Sequence, residues 1–218
     1  MLQALPILLG YLPVGFAFGV LAQKAGISTL NSLLMSLIVY AGSSQLIAVG
    51  LIAAGMTPLS IILTTFVVNL RHMLMSAALS THLSQWTKPA LTGFAFELTD
   101  ESFALHSSRL SGEEPPRGET FAVNLTAHSA WVGGTLLGIF AGSLITDIEP
   151  LALDYVLPAM FIALLVMQIK SSAHVYAAVM GGVLSIVFLL LGLGQWYVIL
   201  ATVFGATFGV VVERWTRA

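Results

Sequence analysis

The sequence predicts an all-α, polytopic helical membrane protein with seven to eight transmembrane helices, forming a single domain over residues 1–218. Two observations carry this prediction. Hydrophobic residues make up 57% of the 218 residues and charged residues only 8%, whereas about a quarter of the residues in a soluble domain are charged. The apolar residues also form long uncharged runs, at 1–23, 25–70, 120–146 and 171–212, and about 20 apolar residues suffice to cross a bilayer.

The same composition excludes several classes of protein. The net charge of −2 offers no basic stripe for a nucleic-acid backbone. The chain has no cysteine, which excludes disulfide frameworks and thiolate metal sites. It also lacks the glycine-rich phosphate loop that ends in Lys and Ser or Thr, so it does not itself hydrolyse ATP. We expect no nucleic-acid partner, no cofactor and no bound metal.

The uncharged runs divide into spans at their turn residues. The first run has no basic leader before its apolar stretch, so it is interpreted as a retained helix and not as a signal peptide. Run 25–70 breaks near Gly55, and run 171–212 breaks near Gly192. The predicted spans are 3–22, 31–54, 58–79, 120–145, 155–170, 173–191 and 196–212. Segment 90–108 is an eighth candidate that carries acidic residues.

Lys and Arg residues near span ends predict the orientation, because they concentrate on the cytoplasmic side. Whether or not segment 90–108 crosses, the count places the C-terminus in the cytoplasm. The cleaner charge separation favours seven crossings, with 90–108 dipping into the membrane from the cytoplasmic side.

A faint internal repeat relates 1–79 to 120–191, since in each block a pair of spaced glycines precedes a helix that carries a glutamine. Three-helix repeats with broken helices are typical of transporters. If the repeat is real, Gln45 and Gln168 face the same cavity.

Polar residues inside apolar runs are the candidate functional residues, because lipid makes each of them costly. In the middle of span 31–54, Gly42, Ser43, Ser44 and Gln45 weaken the helix and could expose backbone groups to a substrate. The alternative is a small-residue packing face, with serines bonded to carbonyl groups one turn earlier. Gln45 is hard to explain in that way.

A second group lies at 68–72. Asn69 and His72 share a helix face, and a buried Arg71 guanidinium could grip a carboxylate through two parallel hydrogen bonds. If the span instead ends at Leu70, Arg71 reaches the membrane interface.

A third group comprises Glu97, Asp100 and Glu101 on segment 90–108. On one helix, Glu97 and Glu101 would be neighbours one turn apart. Buried carboxylates so close together resist carrying full charge, which suits proton uptake and release. They could equally be counter-ions of Arg71, or the solvated face of a cytoplasmic helix, and these three alternatives stay open.

Four motifs together resemble one known family. They are PVGFAFG at 13–19, AGSSQ at 41–45, VNLRH at 68–72 and TDESFAL at 99–105. In order and spacing they are similar to the AzlC-type large subunit of branched-chain amino acid exporters, over essentially the whole chain. The resemblance implies an exporter of leucine, isoleucine, valine and sometimes methionine in the bacterial inner membrane. It also implies a small hydrophobic partner subunit of AzlD type.

The sequence thus predicts a secondary exporter of branched-chain amino acids that is coupled to protons and is not an enzyme. Substrate binding is assigned to Gly42, Ser43, Ser44, Gln45, Asn69, Arg71 and Gln168, and proton coupling to Asp100 and Glu101. Two alternatives are a non-transporting membrane scaffold and an intramembrane hydrolase that would use Ser43 or Ser44 with His72 or His128.

Three faces of regularly spaced glycines predict close helix packing. They are Gly15/Gly19, Gly134/Gly138/Gly142 and Gly205/Gly209. The last lies on the terminal helix, and we expect it to face the partner subunit.

Overall fold

The structure is a computed structural model that describes residues 5–109, 116–145, 152–169, 171–193 and 196–217. Every regular element in these ranges is a helix, which confirms the predicted fold class. The α-helices are α1 (Leu5–Lys24), α2 (Thr29–Leu34), α3 (Gly42–Ala53), α4 (Pro58–Ser80), α5 (Lys88–Phe96), α6 (Asp100–Arg109), α7 (Arg117–Leu144), α8 (Val156–Gln168), α9 (Ser172–Leu190) and α10 (Trp196–Arg217). A π-helical segment, Met35–Val39, extends α2, and a 3-10 turn, Leu153–Tyr155, precedes α8.

The chain forms two compact units, Met1–Leu157 and Pro158–Ala218. In the second unit, α9 and α10 pack against each other through small residues. A Cβ at Gly205 would meet the Gly181 backbone, and a Cβ at Gly209 would overlap Ala177. The expectation that Gly205/Gly209 faces a partner is therefore wrong, because this face is occupied within the chain. A single domain over 1–218 stays a prediction.

In the first unit, α1 and α7 run parallel and in close contact. A Cβ added at Gly15 would approach the backbone of Trp131 and Thr135, and one at Gly19 would approach Thr135 and Ile139. Farther along, the Lys24 ammonium donates a hydrogen bond to the Ile145 carbonyl at 2.5 Å. Because residue numbers rise together on both helices, their directions agree. The first two glycine faces therefore serve packing within the chain, where small residues let backbones approach.

Residues 29–53 form a hairpin and not a crossing helix. Gln45 Nε2 donates to Ser36 Oγ at 3.3 Å, although the two residues are nine positions apart. A continuous helix would separate them by about 13 Å, so the chain must turn back between them. It does so at Tyr40, which adopts the left-handed conformation (φ 43°, ψ 46°). The prediction of one span over 31–54 is wrong, because the two halves of this first hairpin enter and leave at the same end of the unit.

Residues 88–109 form a second hairpin, which enters from the opposite end. Along the hairpin, its successive contacts lie farther and farther along α7 up to the tip, and then return toward the start of α7. Trp86, just before the hairpin, stacks on Phe121 with ring centroids 5.8 Å apart, and Glu97 at the tip meets His128. On the way back, His106 meets Asn124 and Arg109 meets Glu119. The preferred alternative, in which 90–108 dips into the membrane without crossing it, agrees with this path.

Helix α4 runs antiparallel to α1 and α7 and joins the two hairpins. Its start follows the end of α3, its Arg71 reaches both hairpins, and its last turns pack with residues at the base of the second hairpin. By length and composition, α1, α4 and α9 are the described helices that could cross a membrane. The predicted total of seven to eight crossings is not confirmed.

The charges of the first unit separate between its two ends. Lys88, Arg109 and Arg117 lie at the end where α1 and α7 begin, and Lys24 lies at the end where they finish. Because Lys and Arg concentrate on the cytoplasmic side, we expect the end with three basic residues to be cytoplasmic. The position of Lys24 at the opposite end departs from the clean charge separation that favoured seven crossings.

Candidate functional site

The tips of the two hairpins meet beside the middle of α1 and α7. The first tip is Tyr40–Ala41, and the second is Glu97, Leu98 and Thr99. Tyr11 of α1 lies between them, since its ring packs edge-on against Tyr40 at 6.3 Å and its hydroxyl lies 2.5 Å from Thr99 Oγ1. Helices that break inside a membrane leave backbone groups without partners, which is tolerated only where they are buried or line a cavity.

The first tip is held by its own side chains. Gln45 is 1% exposed, and its Oε1 accepts a hydrogen bond from the Ala41 backbone N–H at 3.1 Å. Ser44 Oγ donates to the Ala41 carbonyl at 3.0 Å. Gly42 leaves room for the Trp131 indole, because a Cβ there would lie 2.8 Å from the ring. Three predicted substrate ligands, Gly42, Ser44 and Gln45, thus have structural contacts at this tip.

Arg71 links both hairpins to α4. Its Nη1 lies 2.6 Å from Asp100 Oδ2, and its Nη2 donates to Ser43 Oγ. Both partners stand at the first turns of helices that begin at the tips, α3 and α6. Arg71 therefore lies within a half-buried network. Of the three alternatives for the acidic residues, the contact of Asp100 agrees with a counter-ion of Arg71.

This network leaves two polar atoms of α4 without partners. Arg71 Nε and Asn69 Oδ1 are both buried and form no hydrogen bond within the part of the chain that the structure describes. A buried donor or acceptor without a partner costs free energy. One unpaired donor and one unpaired acceptor within a helical turn complement a ligand that carries both an acceptor and a donor.

Glu101 faces α1 from the start of α6. The Tyr11 hydroxyl donates to its Oε2 at 2.6 Å. Thr99 and Ser102 close the turn before α6, since Ser102 Oγ accepts from the Thr99 backbone N–H at 2.8 Å. Glu101 is thus hydrogen-bonded to Tyr11 of α1, a contact that the sequence does not predict.

The remaining acid, Glu97, pairs with His128 on α7. Both Glu97 carboxylate oxygens lie 3.1 Å from His128 Nδ1, and His128 Nε2 lies 3.0 Å from the Ser36 carbonyl. The Tyr40 ring stacks on the imidazole with centroids 3.9 Å apart. Glu97, at 8% exposure, is not part of a solvated face.

The three acids therefore do not share one helix face. The chain leaves α5 after Phe96 and enters α6 at Asp100, so the expected pairing of Glu97 with Glu101 one turn apart is wrong. Each acid has a different partner, on a different helix.

The sequence does not single out three residues of the site, Tyr11, Ser36 and Tyr40, because they look like ordinary members of apolar spans. It names His128 only for the hydrolase alternative, although an ionisable residue inside an apolar run is costly in lipid and is itself a signal. Gln168 closes α8, and its side chain lies outside the described residues, so its predicted role stays a prediction.

The hydrogen bonds of the candidate serines bear on the hydrolase alternative. Ser43 is bonded to Arg71 and Ser44 to the Ala41 carbonyl. His72 Nδ1 lies 3.3 Å from the Asn69 carbonyl, and both nitrogens of His128 have other partners. Within the described ranges, neither serine is bonded to a histidine, and no group of three His, Asp or Glu side chains could hold a metal ion.

An open groove of about 500 Å³ lies elsewhere in the first unit. Its lining is mostly apolar and comes from α1 and α7, at Leu8, Leu12, Ala122, Leu125, Thr126, Ser129 and Ala130. It shares no residue with the polar network, and its shape alone assigns it no chemistry.

Comparisons with known proteins match most of the chain. A family model described as AzlC protein matches residues 6–145. An uncharacterized membrane protein of Archaeoglobus fulgidus is 38% identical, covering 94% of this chain and 90% of its own. The inner membrane protein YgaZ of Escherichia coli is 36% identical, covering 82% and 76%. The branched-chain amino acid transport protein AzlC of Bacillus subtilis is 28% identical, covering 89% and 76%. No solved structure matches the chain significantly.

Proposed function

Because the chain belongs to the AzlC family, we propose that this membrane protein is the large subunit of a secondary exporter of branched-chain amino acids. One observation carries the proposal beyond the family. The guanidinium of Arg71 lies between Ser43 and Asp100, at the tips of two hairpins that enter from opposite ends. Discontinuous helices that meet near the midplane are typical of substrate sites in secondary transporters.

The substrate is a zwitterion, and the site offers a partner for each charge. The carboxylate meets the first turn of α3, Ser43 and the unpaired Nε of Arg71, where the helix N-terminus adds partial positive charge. The ammonium meets Asp100 and the unpaired Oδ1 of Asn69. In this arrangement the substrate replaces part of the Arg71–Asp100 contact, so binding loosens the link between the hairpins.

Transport then requires the two hairpins to open alternately. The first hairpin has both ends at one side of the unit and the second has both ends at the other. Movement of the first tip away from Arg71 opens the site toward its own side, and movement of the second opens it toward the opposite side. Such alternating access needs no nucleotide.

Export direction, proton coupling and location in the bacterial inner membrane belong to the same proposal. The sequence assigns the coupling proton to Asp100 and Glu101. We also propose a cytoplasmic C-terminus and an AzlD-type small subunit as partner. Since the glycine faces at 15/19, 134/138/142 and 205/209 are packed within the chain, such a partner must use another surface.

The experiment is leucine flux in proteoliposomes that hold this chain with and without an AzlD-type subunit. Counterflow of labelled leucine without any gradient tests binding and translocation. Accumulation driven by a pH gradient tests coupling. Arg71→Gln should abolish counterflow, and Arg109→Gln, which breaks the ion pair to Glu119 away from the tips, should retain it. Equal counterflow in both variants, or none in the intact complex, would contradict the proposal.

A further inference from the structure

The pair formed by Glu97 and His128 has a feature that neither Asp100 nor Glu101 shares. The Ser36 carbonyl can only accept a hydrogen bond, so His128 Nε2, 3.0 Å away, must carry a hydrogen. The other nitrogen, Nδ1, faces both oxygens of the Glu97 carboxyl group at 3.1 Å. A hydrogen is needed between them, because a lone pair would otherwise face a carboxylate.

That hydrogen can be placed in two ways. Either an imidazolium donates to a carboxylate, or a carboxylic acid donates to a neutral imidazole. Both arrangements hold one proton more than the fully deprotonated pair. The contacts that the structure shows are therefore those of a pair that has bound one proton.

The pair of Glu97 and His128 also contacts both hairpins. Glu97 belongs to the second tip, while Ser36 and Tyr40 belong to the first hairpin. His128 lies on α7, which is held against α1 through Gly15, Gly19 and the facing glycines. The stacked Tyr40 ring favours a charged imidazole.

We propose that Glu97 and His128, in place of Asp100 and Glu101, form the proton-binding site of the exporter, and that the bound proton holds both hairpin tips to α7. This inference rests on the proposed function. Loss of the proton leaves Nδ1 and the carboxylate in mutual repulsion, so Glu97 or the imidazole ring moves. Movement of Glu97 frees the second tip from α7, whereas movement of the imidazole breaks its contacts to Ser36 and Tyr40 and frees the first tip. Either hairpin can then open.

The charged and titratable groups around the pair have partners of their own. Tyr40 comes from the first tip and Tyr11 from α1, and Tyr11 donates to Glu101 of α6. On α4, Arg71 is paired with Asp100. Among these groups, Glu97 and His128 are the ones whose observed contact itself requires a shared proton.

The first experiment compares counterflow with proton-driven accumulation of leucine. One proton per substrate gives about tenfold accumulation for each unit of pH difference. In Glu97→Gln and His128→Gln, accumulation should fall to a ratio of about one, while counterflow persists. Glu119→Gln, a matched control on α7, should accumulate leucine as the parent does. Normal accumulation in Glu97→Gln, or its loss in Glu101→Gln alone, overturns the inference.

The second experiment does not depend on transport, and so separates failure of this inference from failure of the proposed function. The chain has no cysteine, so Ala41→Cys at the first tip can be labelled selectively with a maleimide. The rate is divided by that of the exposed Met56→Cys variant, which corrects for thiol ionisation. The corrected rate should rise from acidic to alkaline pH.

In Glu97→Gln the corrected labelling rate should no longer rise with pH, since the Gln amide donates to Nδ1 without binding or releasing a proton. If that variant does not fold, the pH dependence of labelling in the parent Ala41→Cys protein is by itself the test of the inference. In the parent Ala41→Cys protein, a corrected rate that is independent of pH overturns the inference, and so does a pH dependence that Glu101→Gln removes.

Discussion

Arg71 of α4 and Asp100 of α6 form an ion pair of 2.6 Å at the point where two hairpins from opposite ends of the unit meet. Both side chains are partly buried, so the pair is shielded from water only on some sides. Ser43 of the first hairpin contacts the same guanidinium. The Arg71 side chain, from the continuous helix α4, therefore connects the two hairpins. The site is thus built from three segments that lie far apart in the sequence.

This geometry makes Arg71 sensitive to a change that preserves its charge. Lysine cannot bridge Ser43 and Asp100 with a planar fork. A hydrogen bond that involves a charged group contributes about 1.5–3 kcal/mol, so Arg71→Lys should raise the KM for leucine about tenfold or more. Counterflow at varied leucine concentration measures it. Arg109→Lys serves as the control, and an unchanged KM in Arg71→Lys would remove Arg71 from the substrate site.

The role of Gln45 can be separated from substrate binding. Its amide bonds the Ala41 N–H and Ser36 Oγ inside the first hairpin. Gln45→Leu keeps the approximate volume but leaves the Ala41 N–H without a partner, which should lower the free energy of unfolding by about 1–3 kcal/mol. Thermal unfolding in detergent measures this loss. If stability is unchanged while the KM rises, Gln45 binds substrate as the sequence predicted.

The parallel contact of α1 and α7 predicts two opposite outcomes for glycines on one helix. A Cβ at Gly138 would overlap the Phe16 carbonyl, whereas a Cβ at Gly133 meets nothing within 4 Å. Gly138→Ala should destabilise the protein by about 1–3 kcal/mol or more. Gly133→Ala should be neutral, or stabilising by about 0.5–1 kcal/mol. Equal unfolding temperatures for the two variants would contradict the packing described here.

The first hairpin predicts an accessibility pattern that a crossing helix could not give. Cysteines at Thr29 and Met56, before and after the hairpin, should be labelled from the same side of the membrane. A cysteine at Ser84, before the second hairpin, should be labelled from the opposite side. From the distribution of Lys88, Arg109 and Arg117 we expect the Ser84 side to be cytoplasmic. Labelling of Thr29→Cys and Met56→Cys from different sides would restore a crossing over 31–54.

The sequence by itself determined the class of the protein and marked several polar residues that the structure brings together in the candidate site. Few charges and long apolar runs leave an all-α membrane protein as the consistent fold, because backbone groups in lipid must be satisfied internally. Ser43, Arg71 and Asp100 stood out because a polar residue in an apolar run is costly. The four spaced motifs were enough to identify the family, which the comparisons confirm.

Only the tertiary structure decided whether residues 31–54 cross or turn back. Both paths need the same number of apolar residues, and the choice depends on contacts such as Gln45 with Ser36, which require the turn to exist first. The pairing of Glu97 with His128 has the same origin. Its two members lie 31 positions apart and on different elements, so no local pattern relates them, and only the packing of the second tip against α7 brings them into contact.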